Sequence, residues 1–519
     1  KYFGRGIMRF ILHIACLGVA CAVMARDPVV PYEGTNKVVV ASRSDKAILS
    51  AWKAKGCLPP YVASDNVFVR RVYLCLGGRL PTVDEAKSFV DDPTPKKYGK
   101  LIDSLLESES FFDYWTMKWC DALRVKSEFP INLWPNAVYG YQRRIRTFLA
   151  KNEPYDAFVR ALLTTSGSNF RTMEVNFYRA MAERTPDGIA QAVGQTFMGI
   201  RVDKLTPQAQ TNMAAFFNGV TYSSTQEWKE EIVYWKPIET KRKLVLPNNR
   251  KKSADETTDA RILFADYLTS DSCELFSKAA VNRVWYWMYG EGLYADPDDL
   301  NSKCLNEKLV EELAEGFVES KYDFKALCRA VASSVLMRAS SVGGTDAESK
   351  RAYGAFPVRR MDAEVLQDAI RDISNTTFDY SSVIPEPFTY IPDNNRTVTL
   401  ADGSINSQFL ILFGRPARDS GFLTERNNEI TSKQMLFLYN SGDLYRRVSS
   451  IVKLSAMKKL KAEHQIEHAY WMFYSRPLME AEKKQIQEAT LKADAKNRYR
   501  IYQDVGWQLL NSKEFVYIH

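Results

Sequence analysis

Arg261 to Leu300 reads RILFADYLTSDSCELFSKAAVNRVWYWMYGEGLYADPDDL. Phe264, Tyr267, Leu268, Leu275, Phe276, Val281, Val284, Trp285, Trp287 and Met288 recur at three- and four-residue spacings, which predicts buried helix rather than strand. Inside it stands a polar pair, Asn282 and Arg283, and at its end an acidic turn, Asp296-Pro297-Asp298-Asp299. A guanidinium in such a helix is costly unless carboxylates or carbonyls meet it. Arg283 is therefore expected to anchor a hydrogen-bonded network on which other segments converge.

The same periodicity continues on both sides. Upstream, Asp65 to Leu76 is helical and stops at Gly77-Gly78, where glycine takes the left-handed terminating conformation. Thr82 followed by Glu85 is a capping box that opens the next helix. Further helices are expected from Thr94-Pro95, from Phe111, and near 137–150, 155–165 and 186–199. Downstream, Leu305 to Val318 and Phe324 to Leu336 carry apolar stripes, and helices resume near 431–449, 463–475, 479–491 and 497–512. Residues 374–407 lapse into an Asn/Asp/Pro/Thr-rich loop insertion with the pattern of a hairpin around Thr397–Thr399 and Asp402-Gly403. The fold class is mainly α: two helical domains joined by a charged linker, with minor β-hairpin content in the C-terminal half.

A chain of 519 residues exceeds what one hydrophobic core ordinarily organises, and 45% apolar with 12% aromatic residues describes an ordered protein. The expected division is a signal peptide at 1–25, a polar lead-in at 26–60, a first helical domain at 61–235, a basic linker at 236–259 and a second helical domain at 260–519. Arg9, the apolar run Phe10 to Val23 and the small residues before Arg26 read as an export signal. A lipid anchor at Cys21 is a weaker match than simple cleavage. Lys1, Arg5 and Arg9 leave with the leader and no acidic residue does, so the formal charge of +8 falls by three to +5. No later segment is long and apolar enough to span a membrane.

That charge is a weak bias, and the linker's two basic clusters lack the interleaved aromatics of a nucleic-acid groove, so no nucleic-acid partner is expected. Cys57, Cys75, Cys120, Cys273, Cys304 and Cys328 remain after cleavage, far apart and without a Cys-x-x-Cys pair, and read as small buried residues more than as bridges.

Arg70-Arg71-Val-Tyr73 through Arg79-Leu80-Pro81-Thr82, Trp119-Cys-Asp121-Ala-Leu-Arg124 and Asn176-Phe177-Tyr178-Arg179 resemble the first half of a tandem pair of domains of unknown function. Such pairs occur in exported proteins of planctomycetes, verrucomicrobia and their relatives and are named for an associated planctomycete cytochrome module. Ala279 to Trp285, Gly290-Glu-Gly292, Asp298-Asp299, Arg359-Arg360-Met-Asp-Ala-Glu364, Gly414-Arg415-Pro416, Ser475-Arg476-Pro477 and Asn511 to Phe515 resemble the second half, in the family's order. The resemblance implies a haem or metal role through a Cys-x-x-Cys-His segment, but this chain reads Asp203-Lys204-Leu205-Thr206-Pro207 there. A second cysteine pair common in relatives is replaced by Gly421-Phe422-Leu423-Thr424. No cofactor is expected, and the redox alternative would make the protein a degenerate relative of haem-associated proteins.

Three candidate chemistries remain. His464-Gln-Ile-Glu467-His468 places two imidazoles one helical turn apart as a weak metal pair, yet too little chain follows to supply the downstream carboxylate such sites use. Asp298 and Asp299 beside Trp285 offer a carbohydrate-active alternative, paired acids with a stacking ring, against structural capping and pairing with Arg283 or Arg79. Arg70, Arg71, Asp121 and Arg124 read as an internal ion-pair network, with Asn282, Arg283 and Arg415 as further structural or binding candidates. The balance favours an exported, periplasmic or cell-surface binding or scaffold protein, more than an enzyme, with a protein or polysaccharide partner in the cell envelope.

Overall fold

The computed structural model describes residues 27–35, 40, 42–57, 59, 61–238, 242–342, 353–451, 457, 460, 462–491 and 495–519, and the fold over them is mainly α. The leader, with Cys21, and linker residues 239–241 lie outside the described residues. Among the described residues no helix is long and apolar enough to cross a membrane.

The helix Glu274–Tyr289 runs through the middle of the core and is buried on nearly every face; Phe276, Val281, Val284, Trp285 and Met288 are sealed from solvent. Gly290 ends it at φ +77°, and a Cβ there would lie 2.5 Å from Arg359 Cδ, so glycine is required by conformation and space together. Helices from the first half pack on it. Trp287 meets Trp119 edge to face at 5.3 Å and Trp115 at 5.8 Å, while Phe276 stacks on Tyr155 at 5.0 Å. Each such pair adds about 0.5–1.5 kcal/mol beyond area burial. One contiguous apolar core therefore runs through both halves of the chain.

Local chemistry sets the ends of the flanking helices. Thr82 and Glu85 form the expected capping box. The helices Asp65–Val72 and Pro186–Val193 each widen into a π-turn, at Tyr73–Gly77 and Gly194–Met198, and stop at a left-handed glycine, Gly78 (φ +56°) and Gly199 (φ +61°). A Cβ on Gly199 would strike Leu300 at 2.5 Å; the bare backbone instead accepts the Leu300 amide at 2.7 Å. The second π-turn thereby docks against the acidic turn that follows the central helix.

Strands are short and antiparallel. Gly167–Ser168, Glu231–Trp235 and Val220–Ser224 form a three-stranded sheet, and the linker folds as a hairpin of Arg242–Val245 with Lys251–Ala254 whose Leu244 and Ala254 are buried. Among the described residues the hairpins thus lie in the first domain and the linker, and in the C-terminal half Arg359–Arg360 pairs with the distant Tyr517–Ile518. Thr397–Thr399 is a 3₁₀ turn and not the expected strand: the buried Asp368 carboxylate accepts the Thr397 and Val398 amides at 2.7 and 3.1 Å, holding a turn that the Thr-Val-Thr alternation conceals. Of the long loop, Val383, Phe388 and Tyr390 are exposed, whereas Val398, Leu400, Asp402 and Ile405 are buried, and Asp402 accepts the Ser127 amide of the first half at 2.9 Å.

Candidate functional site

The helix Glu109–Ala122 presents Tyr114, Lys118 and Asp121 at three- and four-residue spacing, so the three polar groups share one face. That face meets the start of the helix Ala363–Ser374. Asp362 Oδ2 accepts the Tyr114 hydroxyl at 2.8 Å and Lys118 Nζ at 2.7 Å, and its Oδ1 accepts Asn428 Nδ2 at 2.9 Å. Asp121 accepts Arg418 Nε at 2.8 Å and Arg426 Nη2 at 2.6 Å. Arg426 also forks onto Glu364, at 2.6 and 3.0 Å, and Arg415 Nε lies 3.3 Å from the same carboxylate.

The electrostatics are lopsided. Burial raises the cost of charge on both acids, yet Lys118, Arg426 and Arg359 hold the Asp362 carboxyl well below the usual range, and Arg426 and Arg415 bring Glu364 to about 2. Lys118 is pushed down to about 8 despite its partner, because burial and the neighbouring Arg426 and Arg359 outweigh Asp362. Burial is the larger cause of the lysine's shift, and the neighbouring arginines add to it. Burial, with Arg418 beside it, likewise lowers Arg415 to about 10.

This network floors a narrow cleft of about 20 Å³ whose lining includes Lys118, Asp121, Arg283, Arg359, Arg426 and Phe422. Its outer wall is the segment 419–424. Glu425 accepts the Asp419, Ser420 and Gly421 amides at 2.9, 3.2 and 3.1 Å, and Asp298 accepts the Leu423 and Thr424 amides at 2.7 and 3.1 Å. Gly421 (φ +75°) lies so close to the first half that a Cβ would sit 2.7 Å from the Ala122 carbonyl oxygen.

Arg283 lies at the back. Its guanidinium is 5.7 Å from the ring centres of both Trp119 and Trp287, and Nη2 donates to the Gln195 and Thr196 carbonyls of the π-turn at 3.3 and 3.0 Å. Carbonyls, not carboxylates, meet it. Its Nε and Nη1 have no hydrogen-bond partner, and burial pushes the group down. Arg359 is held in a similar way, Nη2 donating to the Trp287 and Met288 carbonyls at 3.2 Å with Nε unpartnered, but burial is outweighed there by Cys75, Tyr114 and Asp362, which push the group up.

The other sequence candidates separate. Arg70, Arg71 and Arg124 make no ion-pair network with Asp121. Arg70 donates to Phe473 and Phe515 carbonyls, Arg71 to those of Met337 and Ala339, and Arg124 to that of Ala180, because each lies against a chain turn rich in free carbonyls. Asp298 and Asp299 meet neither Arg283 nor Arg79 by hydrogen bond; Asp299 pairs with Lys204 at 3.1 Å, and Arg79 forks onto Glu85 at 2.7 Å. Asn282 ties the central helix to the acidic turn, its Oδ1 accepting Leu293 N at 2.9 Å and its Nδ2 donating to the Pro297 carbonyl at 2.8 Å. Trp285 is sealed in the core against Tyr289 and Tyr353, closed to any sugar. His464 is exposed 3.9 Å from Glu467, and among the described residues no three His, Cys, Asp or Glu side chains cluster as metal ligands. The six cysteines Cys57 to Cys328 are unbridged. Sequence reasoning passed over Lys118, Asp362, Arg359, Arg418 and Arg426; the signal for Asp362 was a charge flanked by Met361, Val365 and Leu366.

Residues 43–221 match the family described as PSCyt2, protein of unknown function (DUF1549), and residues 260–490 match PSD1, protein of unknown function (DUF1553). No curated protein and no solved structure matches the chain.

Proposed function

Because the chain belongs to the planctomycete cytochrome-associated tandem family, with its PSCyt2 and PSD1 domains in that order, we propose that it is an exported binding or cell-envelope scaffold protein. Export rests on the leader, Arg9 with Phe10 to Val23, and on the company the family keeps. The partner is a protein or polysaccharide of the envelope.

The observation that carries this reading is the employment of the acids. Asp298 is spent on the Leu423 and Thr424 amides, Asp299 on Lys204, and Asp121 on Arg418 and Arg426. A general acid or nucleophile must reach a substrate atom, and a carboxylate whose oxygens already accept from fixed donors is not free to do so. Trp285 and Trp287 are buried where a sugar-stacking platform would need them open. What the cleft offers instead is donors.

Purified mature protein mixed with native envelope tests this by sedimentation, with reducing-end release from envelope polysaccharides measured in parallel. Retention with the envelope and no release is expected. Failure to sediment, or release that disappears in Asp298→Asn, would contradict it.

A further inference from the structure

A cavity of about 780 Å³ opens between the start of the helix Lys97–Leu106 and the segment that follows the helix Phe324–Ala332, so each half of the chain supplies one wall. Lys96, Lys97, Arg329 and Arg338 line it, against Asp65 and Asp92. Both acids are already engaged. Asp65 accepts Lys97 Nζ at 2.8 Å and the Tyr98 hydroxyl at 2.6 Å, and Asp92 accepts the Thr94 amide at 2.8 Å. Arg329 reaches Asp103, outside the lining, and keeps half of its side chain exposed. Arg338 differs: its guanidinium lies 4.0 Å from the centre of the Tyr98 ring, and among the described residues it meets no carboxylate and no hydrogen-bond acceptor. The ring beneath it is fixed, edge to face with Phe68 at 4.9 Å and with Phe89 at 5.7 Å. Lys96, exposed on the first-half wall, also has no carboxylate partner among the described residues.

We propose that this cavity binds an anionic sugar, a carboxylated or sulfated oligosaccharide segment of an envelope polysaccharide, with Arg338 and Lys96 as its charge contacts. A guanidinium packed over a ring face keeps its in-plane N–H donors for an oxyanion, which it meets in bidentate fashion. Because Asp65, Phe68 and Phe89 hold Tyr98, those donors are positioned before a ligand arrives. The volume exceeds what a lone oxyanion fills and lies in the range of ordinary small-ligand sites. At the mouth Thr94, Lys96 and Ser333 are exposed, offering hydroxyl and ammonium groups to a polyhydroxylated chain. A divalent cation is the wrong sign for a lining with two unanswered positive charges. An acidic peptide carries the right charge, but peptide recognition leans on open apolar anchor sites, and Phe68, Ile102 and Val335 of this lining are buried.

The site deepens the binding reading and rests on it, narrowing the partner to an acidic polysaccharide, and it is tested apart from envelope retention. Isothermal titration of the full mature protein at low ionic strength uses trigalacturonate and a heparin-derived tetrasaccharide, with maltotriose as the neutral control and hexaglutamate and inorganic sulfate as further titrants. Saturable one-to-one binding of an acidic oligosaccharide, at least about tenfold tighter than maltotriose or sulfate, is expected. Preference for trigalacturonate identifies a carboxylated sugar, and preference for the tetrasaccharide a sulfated one. Arg338→Gln, checked for native circular dichroism, is expected to weaken binding by at least about tenfold, and Lys96→Gln, on the exposed rim, by about threefold. No binding of either acidic oligosaccharide, equal binding of maltotriose or sulfate, tighter binding of hexaglutamate, or unchanged affinity in either folded variant overturns the proposal. Should Arg338→Gln not fold, Lys96→Gln decides. Acidic-sugar binding without envelope retention would sink only the envelope reading, and the reverse result only the site.

Discussion

Arg426 lies 305 residues beyond Asp121 in the chain, yet its Nη2 donates to Asp121 Oδ2 at 2.6 Å while the same guanidinium forks onto Glu364. Asp121 belongs to the PSCyt2 segment and both partners to PSD1, so the ion pair is a covalent-free staple between the family's two units. Lys118 with Asp362 is a second one, a helical turn away. Charge pairs this dry add little net stability, but each loses heavily when one partner is removed.

Cutting the chain at the tip of the linker hairpin should therefore leave the protein in one piece. A protease site placed at the exposed Pro247–Asn249 turn, once cleaved, is expected to give fragments that co-elute in size exclusion until denaturant is added. Separation in native buffer would show that the shared core does not hold the halves.

Stability should carry two signatures of pH. Glu364, ordinarily near 4.5 and about 2 when folded, contributes stability above 4.5 that is lost as pH falls toward 2. Lys118, ordinarily 10.5 and about 8 when folded, is charged in both states below 8; from 8 to 10.5 only the unfolded chain keeps the proton, so stability gains on the order of 3 kcal/mol as pH rises through that window. Urea titrations across pH should show Lys118→Met losing the alkaline rise and Glu364→Gln losing the acidic fall.

Much of this architecture was readable in the chain. The central helix declared itself because apolar residues surround it on every face, and the Thr82–Glu85 box and the stop at Gly78 are local signals that local chemistry honours. The ionic cleft was only half readable. Asp121 and Arg283 stand out as charges in apolar helices, but nothing near Asp121 names Arg418 or Arg426, because pairing across 297 and 305 residues is decided by tertiary packing. The π-turns have no sequence period, so the carbonyls that receive Arg283 were invisible. At Thr397–Thr399 a strand-like alternation lost to a buried acid 29 residues upstream.

Gly421→Ala should destabilise the protein by about 1–3 kcal/mol, since φ +75° is strained for alanine and the Cβ would sit 2.7 Å from the Ala122 carbonyl oxygen. The wall of the cleft would move outward. Chemical denaturation measures the loss; a variant of unchanged stability would mean the wall is not seated as described.

Asp298→Ala should free the Leu423 and Thr424 amides and speed their hydrogen exchange, with little change at the Gly421 amide that Glu425 holds. Uniform acceleration across the chain would instead place Asp298 in global stability.

The most direct measurement is a double-mutant cycle on Asp121→Asn and Arg426→Gln, read by urea unfolding. Each single change is expected to cost about 3–5 kcal/mol by stranding a buried charge, and the double variant to cost less than the sum by about 1–3 kcal/mol. Additive losses would contradict the claim that one ionic network joins the two halves.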